Sequence, residues 1–120
     1  MPRIAFTIPV MPGTQAECAR LLKKYKKQLD QAHEAVGATQ WCKFIYRDEY
    51  VEFIDWKGRP FADMLRDYLA RPEIQEFLKE IGPHVQTPVA GPGQDQIQVL
   101  ARYLEGRSMD QAYAQKSPPA

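Results

Sequence analysis

The chain has 120 residues, enough to bury one hydrophobic core and too few for two. With 44% hydrophobic and 26% charged residues, and 16 basic against 15 acidic side chains for a net charge of +1, it reads as an ordinary globular protein. That balance argues against a nucleic-acid groove or an anionic membrane surface, and no apolar run nears the ~20 residues of a membrane helix.

Arg3 to Val10 alternates Ile4, Phe6 and Ile8 against Arg3, Ala5 and Thr7, the pattern of a strand with two different faces. It lacks the apolar core and cleavage site of a secretory signal, so a cytoplasmic protein is expected. Met11-Pro12-Gly13 turns the chain, and Thr14-Gln15-Ala16-Glu17 has the form of a capping box. A long helix follows, with Cys18, Leu21, Leu22, Tyr25, Leu29, Ala32 and Val36 on one stripe and Gly37 as its terminator. Lys23-Lys24 and Lys26-Lys27 flank Tyr25 as a solvated face, and His33 is read as a surface residue.

Thr39 to Tyr46 and Tyr50 to Trp56 are rich in aromatic and β-branched residues and predict an antiparallel hairpin. A two-residue turn at Asp48-Glu49 sets Ile45 opposite Glu52, Lys43 opposite Ile54 and Trp41 opposite Trp56, all on one face. One extra loop residue would flip one strand's faces. After Lys57-Gly58-Arg59-Pro60 come a helical stripe of Phe61, Met64, Leu65, Tyr68 and Leu69, a break at Pro72, and a second stripe of Ile74, Phe77, Leu78 and Ile81. Gly82-Pro83 ends that helix, and Val85 to Asp95 is a loop. Ile97, Val99, Ala101 and Tyr103 alternate as a fourth strand, with a helix as the alternative over 95–104.

The order predicts a ferredoxin-like β-α-β-β-α-β domain of class α+β over 1–107, with a flexible C-terminal tail at 108–120. Helices are expected on one sheet face. The other face, expected to carry Trp41, Ile45, Ile54 and Trp56, calls for a partner, most simply a second copy in a dimeric α+β barrel. Cys18 and Cys42 form no C-x-x-C and are expected as reduced thiols, and with only His33 and His84 no metal spacing arises.

Several motifs carry a resemblance. Pro12-Gly13-Thr14, Ile54-Asp55-Trp56-Lys57-Gly58, Ala70-Arg71-Pro72-Glu73-Ile74-Gln75-Glu76 and Pro83-His84-Val85 resemble the SchA/CurD-like family of spore-pigment and aromatic polyketide gene clusters. The hairpin, the Ala-Arg break and Thr87-Pro88 resemble the tetracenomycin-type polyketide cyclase family. The similarity runs from about Arg3 to Pro88. It implies a cofactor-free, metal-free homodimeric barrel whose cavity folds and cyclises a poly-β-ketone, with an acyl carrier protein or other polyketide synthase component as a further partner. The chain departs from the cyclases by carrying Glu52 where they have an inward histidine and Trp41 for an early strand arginine, and from the SchA/CurD-like closing motif by carrying His84 for its aromatic.

Ring closure of a poly-β-ketone is an intramolecular aldol reaction followed by loss of water, and much of it is positioning. Glu52 is the candidate base, since an inward carboxylate among tryptophans loses hydration and gains basicity. Lys43 is the candidate counter-ion or enolate donor, and His84 a second acid–base candidate. Trp41, Trp56, Tyr25, Ile45, Ile54 and Tyr50 are the candidate substrate-binding wall. Each has a structural reading too: Glu52 and Lys43 as a solvated pair, His84 as a helix cap, the tryptophans as dimer core, Tyr25 as helix core. A cofactor-free oxygenase acting on a polycyclic phenol, and a non-catalytic barrel binding an aromatic intermediate or partner enzyme, are the alternative functions.

Overall fold

The structure, a computed structural model, describes residues 3–109. It is an α+β arrangement of one three-stranded antiparallel sheet with its helices on one side. Strands β1 (Arg3–Pro9), β2 (Ala38–Tyr46) and β3 (Glu49–Trp56) lie in the order β1-β3-β2. Between β1 and β2 run α1 (Gln15–Lys24) and α2 (Lys26–Ala35); after β3 come α3 (Phe61–Leu69), α4 (Gln75–Ile81) and α5 (Gln96–Gly106).

The predicted long helix is bent into two at Tyr25, whose φ of −103° and ψ of 13° leave the helical region. Tertiary contacts hold the bend. The Tyr25 ring meets Phe77 edge-on at 5.7 Å, and its hydroxyl donates to Glu80 on α4. The capping box does not form: the Thr14 hydroxyl turns back to donate to the Met11 carbonyl, and Glu17 is taken by Arg20. Gly37 ends α2 at φ +91°, a conformation that side chains with a Cβ resist.

The hairpin forms with a register different from the predicted one. Its turn is Arg47-Asp48, with Arg47 at φ 55°, and Tyr46 pairs with Glu49. Lys43 therefore faces Glu52, Ile45 faces Tyr50, and Trp41 faces Ile54. The shift is two residues, one full pleat, so the same side chains still share a face.

That face is not the open one. Ile4 and Phe6 of β1 lie beside Ile54 and Glu52, and this side of the sheet is buried under the helices. The open face carries Phe44 and Tyr46, 49% and 59% exposed, with Ala5, Thr7, Val51 and Phe53 on its neighbours. Alternation marks two faces and cannot say which one the helices choose when both carry aromatic residues.

The segment 95–104 is helical. Asp95 caps α5 by accepting from the Ile97 amide at 2.9 Å, and Ala101 and Leu104 enter the core. The outer edge of β1 is met instead by two short bridges, Val10 with Val85 and Phe6 with Ser108. Of the predicted tail, Ser108 and Met109 are pinned on β1, with the Met109 amide donating to the Ala5 carbonyl at 2.7 Å. The rest of that tail lies outside the described residues. No helix among the described residues is long and apolar enough to cross a membrane.

Candidate functional site

A cavity of about 210 Å³ lies between the helix-covered sheet face and α3, α4 and α5. Most of its wall is apolar, with Phe6, Ile54, Phe61, Met64, Phe77 and Leu104 contributed by five different elements. Four of its polar side chains are gathered together, Glu52 and Tyr50 from β3, His33 from α2 and Tyr68 from α3, and Thr87 is a fifth in the wall.

Glu52 is the centre of that cluster. Its position is set by the pleat, because every second residue of β3 points at the helices. Lys43, directly opposite on β2, brings Nζ to 2.6 Å from Glu52 Oε1, and the two side chains are 7% and 10% exposed. Tyr50, two residues along the same face, donates its hydroxyl to the same oxygen at 2.8 Å. Two partners on Oε1 leave Oε2 turned elsewhere, 3.9 Å from His33 Nε2.

Burial pulls the Lys43 ammonium below its ordinary pKa, with the facing Glu52 carboxylate opposing that shift. Burial also pushes the Tyr50 and Tyr68 phenols well above 10, and the Glu52 charge adds to both. Both phenols are therefore hydroxyl donors at any working pH.

His33 is 1% exposed, and its ring is clamped between two others. Tyr68 stacks on it at 4.4 Å between centroids and 20° between planes; Trp41 covers the opposite side at 5.3 Å and 27°. Trp41 is in turn fixed by Asp30, which accepts its indole N–H at 2.7 Å and is held by Lys26 at 2.6 Å. Loss of hydration, assisted by the nearby Lys43 charge, drives the imidazole pKa from 6.5 to about 2, so the ring is neutral. Neither ring nitrogen has a hydrogen-bond partner, and a buried unpaired polar group of this kind costs about 1–3 kcal/mol.

The structure brings Glu52, Tyr50 and Ile54 to the cavity wall, with Lys43 and Trp41 directly behind them. Ile45 pairs with Tyr50 and is half-buried against the core. Trp56 is buried outside the cavity, its indole donating to the Arg59 carbonyl at 2.7 Å, and Tyr25 is committed to the helix bend. His84 lies in the 3₁₀ turn after α4, near Glu17; its carbonyl accepts from the Met11 amide at 2.8 Å, and its side chain is not among the cavity residues. Glu52 and Lys43 do not form the solvated pair of the alternative reading.

His33 corrects the surface reading outright. The signal was present: His33 is four residues past Leu29 and eight past Tyr25, inside the buried stripe of its helix. Tyr68 was visible as a core position on α3 and now adds a phenol to the polar cluster. Among the described residues, no group of three or more His, Cys, Asp or Glu side chains is gathered as a metal site.

Fold and site together define an α+β protein with a small polar cluster in the wall of a largely apolar, helix-covered cavity. No family model matches the sequence, and no curated protein matches it. Among solved structures, tetracenomycin F2 cyclase from Streptomyces glaucescens, a type II polyketide cyclase, is similar in fold. The TM-score is 0.57 over 98% of this chain and 100% of that chain, at 16% sequence identity.

Proposed function

We propose that this protein is an aromatic polyketide cyclase that guides intramolecular aldol closure of a poly-β-ketone in a type II pathway for an antibiotic or spore pigment. The observation that carries the reading is a buried carboxylate, Glu52, held by Lys43 and Tyr50 in the wall of a largely apolar cavity. A fold shared with a type II polyketide cyclase supports it.

In this mechanism Glu52 removes a proton from a methylene between two ketone groups, and the C–H electron pair enters the enolate. The enolate carbon attacks a second carbonyl of the same chain. A C–C bond forms, the carbonyl oxygen takes a proton, and loss of water aromatises the ring. Such a methylene is already acidic, so a positioned carboxylate suffices, and the apolar walls limit the folds the chain can take. Glu52→Gln keeps the volume and removes the base. Fed with the product of a minimal polyketide synthase, this variant should cyclise about 10²–10⁴-fold more slowly than the parent. Undiminished turnover removes Glu52 from the mechanism, and oxygen consumption with quinone formation would favour the oxygenase.

The cavity is lined by residues of one chain, so a second copy is not needed to supply its wall. The copy belongs on the open sheet face, where Phe44 and Tyr46 are exposed beside Phe53. Light scattering at micromolar concentration should give a dimer for the parent and a monomer for Phe44→Glu. A parent that is monomeric at that concentration refutes the homodimer.

A further inference from the structure

The arrangement around His33 has a geometry that the reading of Glu52 as base leaves unused. Tyr68 and Trp41 cover both faces of the imidazole, so a bound molecule can meet it only at its edge. Both edge nitrogens are without partners, and the ring contributes to the cavity wall. Nε2 stands 3.9 Å from Glu52 Oε2, the carboxylate oxygen that Lys43 and Tyr50 leave free. That separation is too long for a direct hydrogen bond. It suits a guest whose two reacting atoms lie two bonds apart, one at each protein atom, as the α-carbon and oxygen of an enolising ketone do.

We propose that His33 is a second catalytic residue, donating a hydrogen bond from Nε2–H to the oxygen of the enolising ketone while Glu52 takes the proton from the adjacent carbon. The inference rests on Glu52 being the base. The C–H bond breaks and its proton goes to Glu52; its electron pair forms the enolate double bond, and the charge that develops on oxygen is met by the imidazole N–H. His33 gives up no proton. A neutral donor at the growing charge is the role that a preorganised, water-excluded site makes effective. The stacked rings fix its plane and Asp30 fixes Trp41, so the donor is held in place before substrate arrives. The groups that face it are Glu52 and Tyr50 of β3, Lys43 of β2 and Tyr68 of α3, with Asp30 of its own helix reached through Trp41. Burial beside the Lys43 ammonium keeps the ring uncharged through the working range.

Two measurements test this on the full chain. In steady-state assays on the same poly-β-ketone, His33→Phe keeps the stack and removes the donor; kcat should fall about 10²–10³-fold with KM changed less than about threefold. His33→Gln, whose amide can donate from about the same place, should recover part of that loss. Separately, ¹⁵N-histidine NMR of the unsubstituted protein should show a neutral ring from pH 5 to 8 whose Nε2 resonance moves when 2-naphthol, a phenolic probe, is added. Retention of kcat within twofold in His33→Phe overturns the proposal, and when Glu52→Gln is inactive in the same assay the base assignment survives that result. If the parent itself closes no ring, the cyclase reading falls, and the naphthol titration then decides His33 alone. An unmoved His33 resonance at saturating probe overturns the site, including where His33→Phe does not fold.

Discussion

Lys43→Met is expected to destabilise the protein by about 3–5 kcal/mol, a large part of the roughly 5–15 kcal/mol that holds a domain of this size together. The reason is the company left behind. Lys43 and Glu52 are 2.6 Å apart with side chains 7% and 10% exposed, so removing the ammonium strands a carboxylate beside the apolar cavity with only the Tyr50 hydroxyl for support. The intact pair is not strongly stabilising, because two charges lost their hydration when the sheet was covered; the downward pull of burial on the Lys43 pKa is the mark of that cost. Lys43→Met combined with Glu52→Leu should therefore recover most of the loss. Recovery stops short of the parent by about 1–2 kcal/mol because Tyr50 then has no acceptor. Urea unfolding followed by circular dichroism, arranged as a double-variant cycle, reads this directly. A single variant within 1 kcal/mol of the parent would mean that Glu52 finds water once Lys43 is gone, and that the wall at this point is not closed.

This pair also shows how much of the site could be read beforehand. Glu52 and Lys43 share a face by strand alternation alone, and a register error of one pleat left that intact. Their direct opposition needed Arg47 to adopt φ 55°, which an arginine does not advertise. Alternation does not identify the side of the sheet that meets the helices, because Phe44, Tyr46 and Phe53 put aromatic residues on the open face as well as the covered one. For α5, Ile97, Val99, Ala101 and Tyr103 alternate convincingly, yet Ile97, Leu100, Ala101 and Leu104 fit a helical stripe behind a capping Asp95. The cap was the deciding signal. His33 was obscured by its chemistry rather than its spacing: histidine is read as polar, and only the rings of Trp41 and Tyr68, distant in sequence, make its burial intelligible.

That burial has a consequence for the whole molecule in acid. His33 in the unfolded chain titrates near 6.5, whereas in the folded protein its pKa is lowered to about 2. Between those values the unfolded state binds a proton that the folded state refuses, so stability rises with pH in that window and falls as the solution is acidified. Above pH 6.5 both states hold a neutral ring and the contribution is flat. Below it, the loss steepens towards about 1.4 kcal/mol per pH unit, giving roughly 2 kcal/mol between pH 6.5 and 4.5 from this residue. Carboxylates that pair in the folded state, such as Asp30 and Asp95, add their own acid sensitivity, at lower pH and equally in any variant that retains them. His33→Phe isolates the histidine: it fills the same slot between Trp41 and Tyr68 and has no proton to bind. Whatever its absolute stability, its unfolding free energy should lose the slope between pH 6.5 and 4.5 that the parent shows. Parallel curves for the two proteins would mean that protonation of His33 is tolerated in the folded state, with Glu52 Oε2, 3.9 Å away, closing on the imidazolium as an ion pair. That result would make the ring a proton carrier and rule out the fixed neutral donor, so the pH dependence of folding bears directly on the chemistry assigned to the cavity.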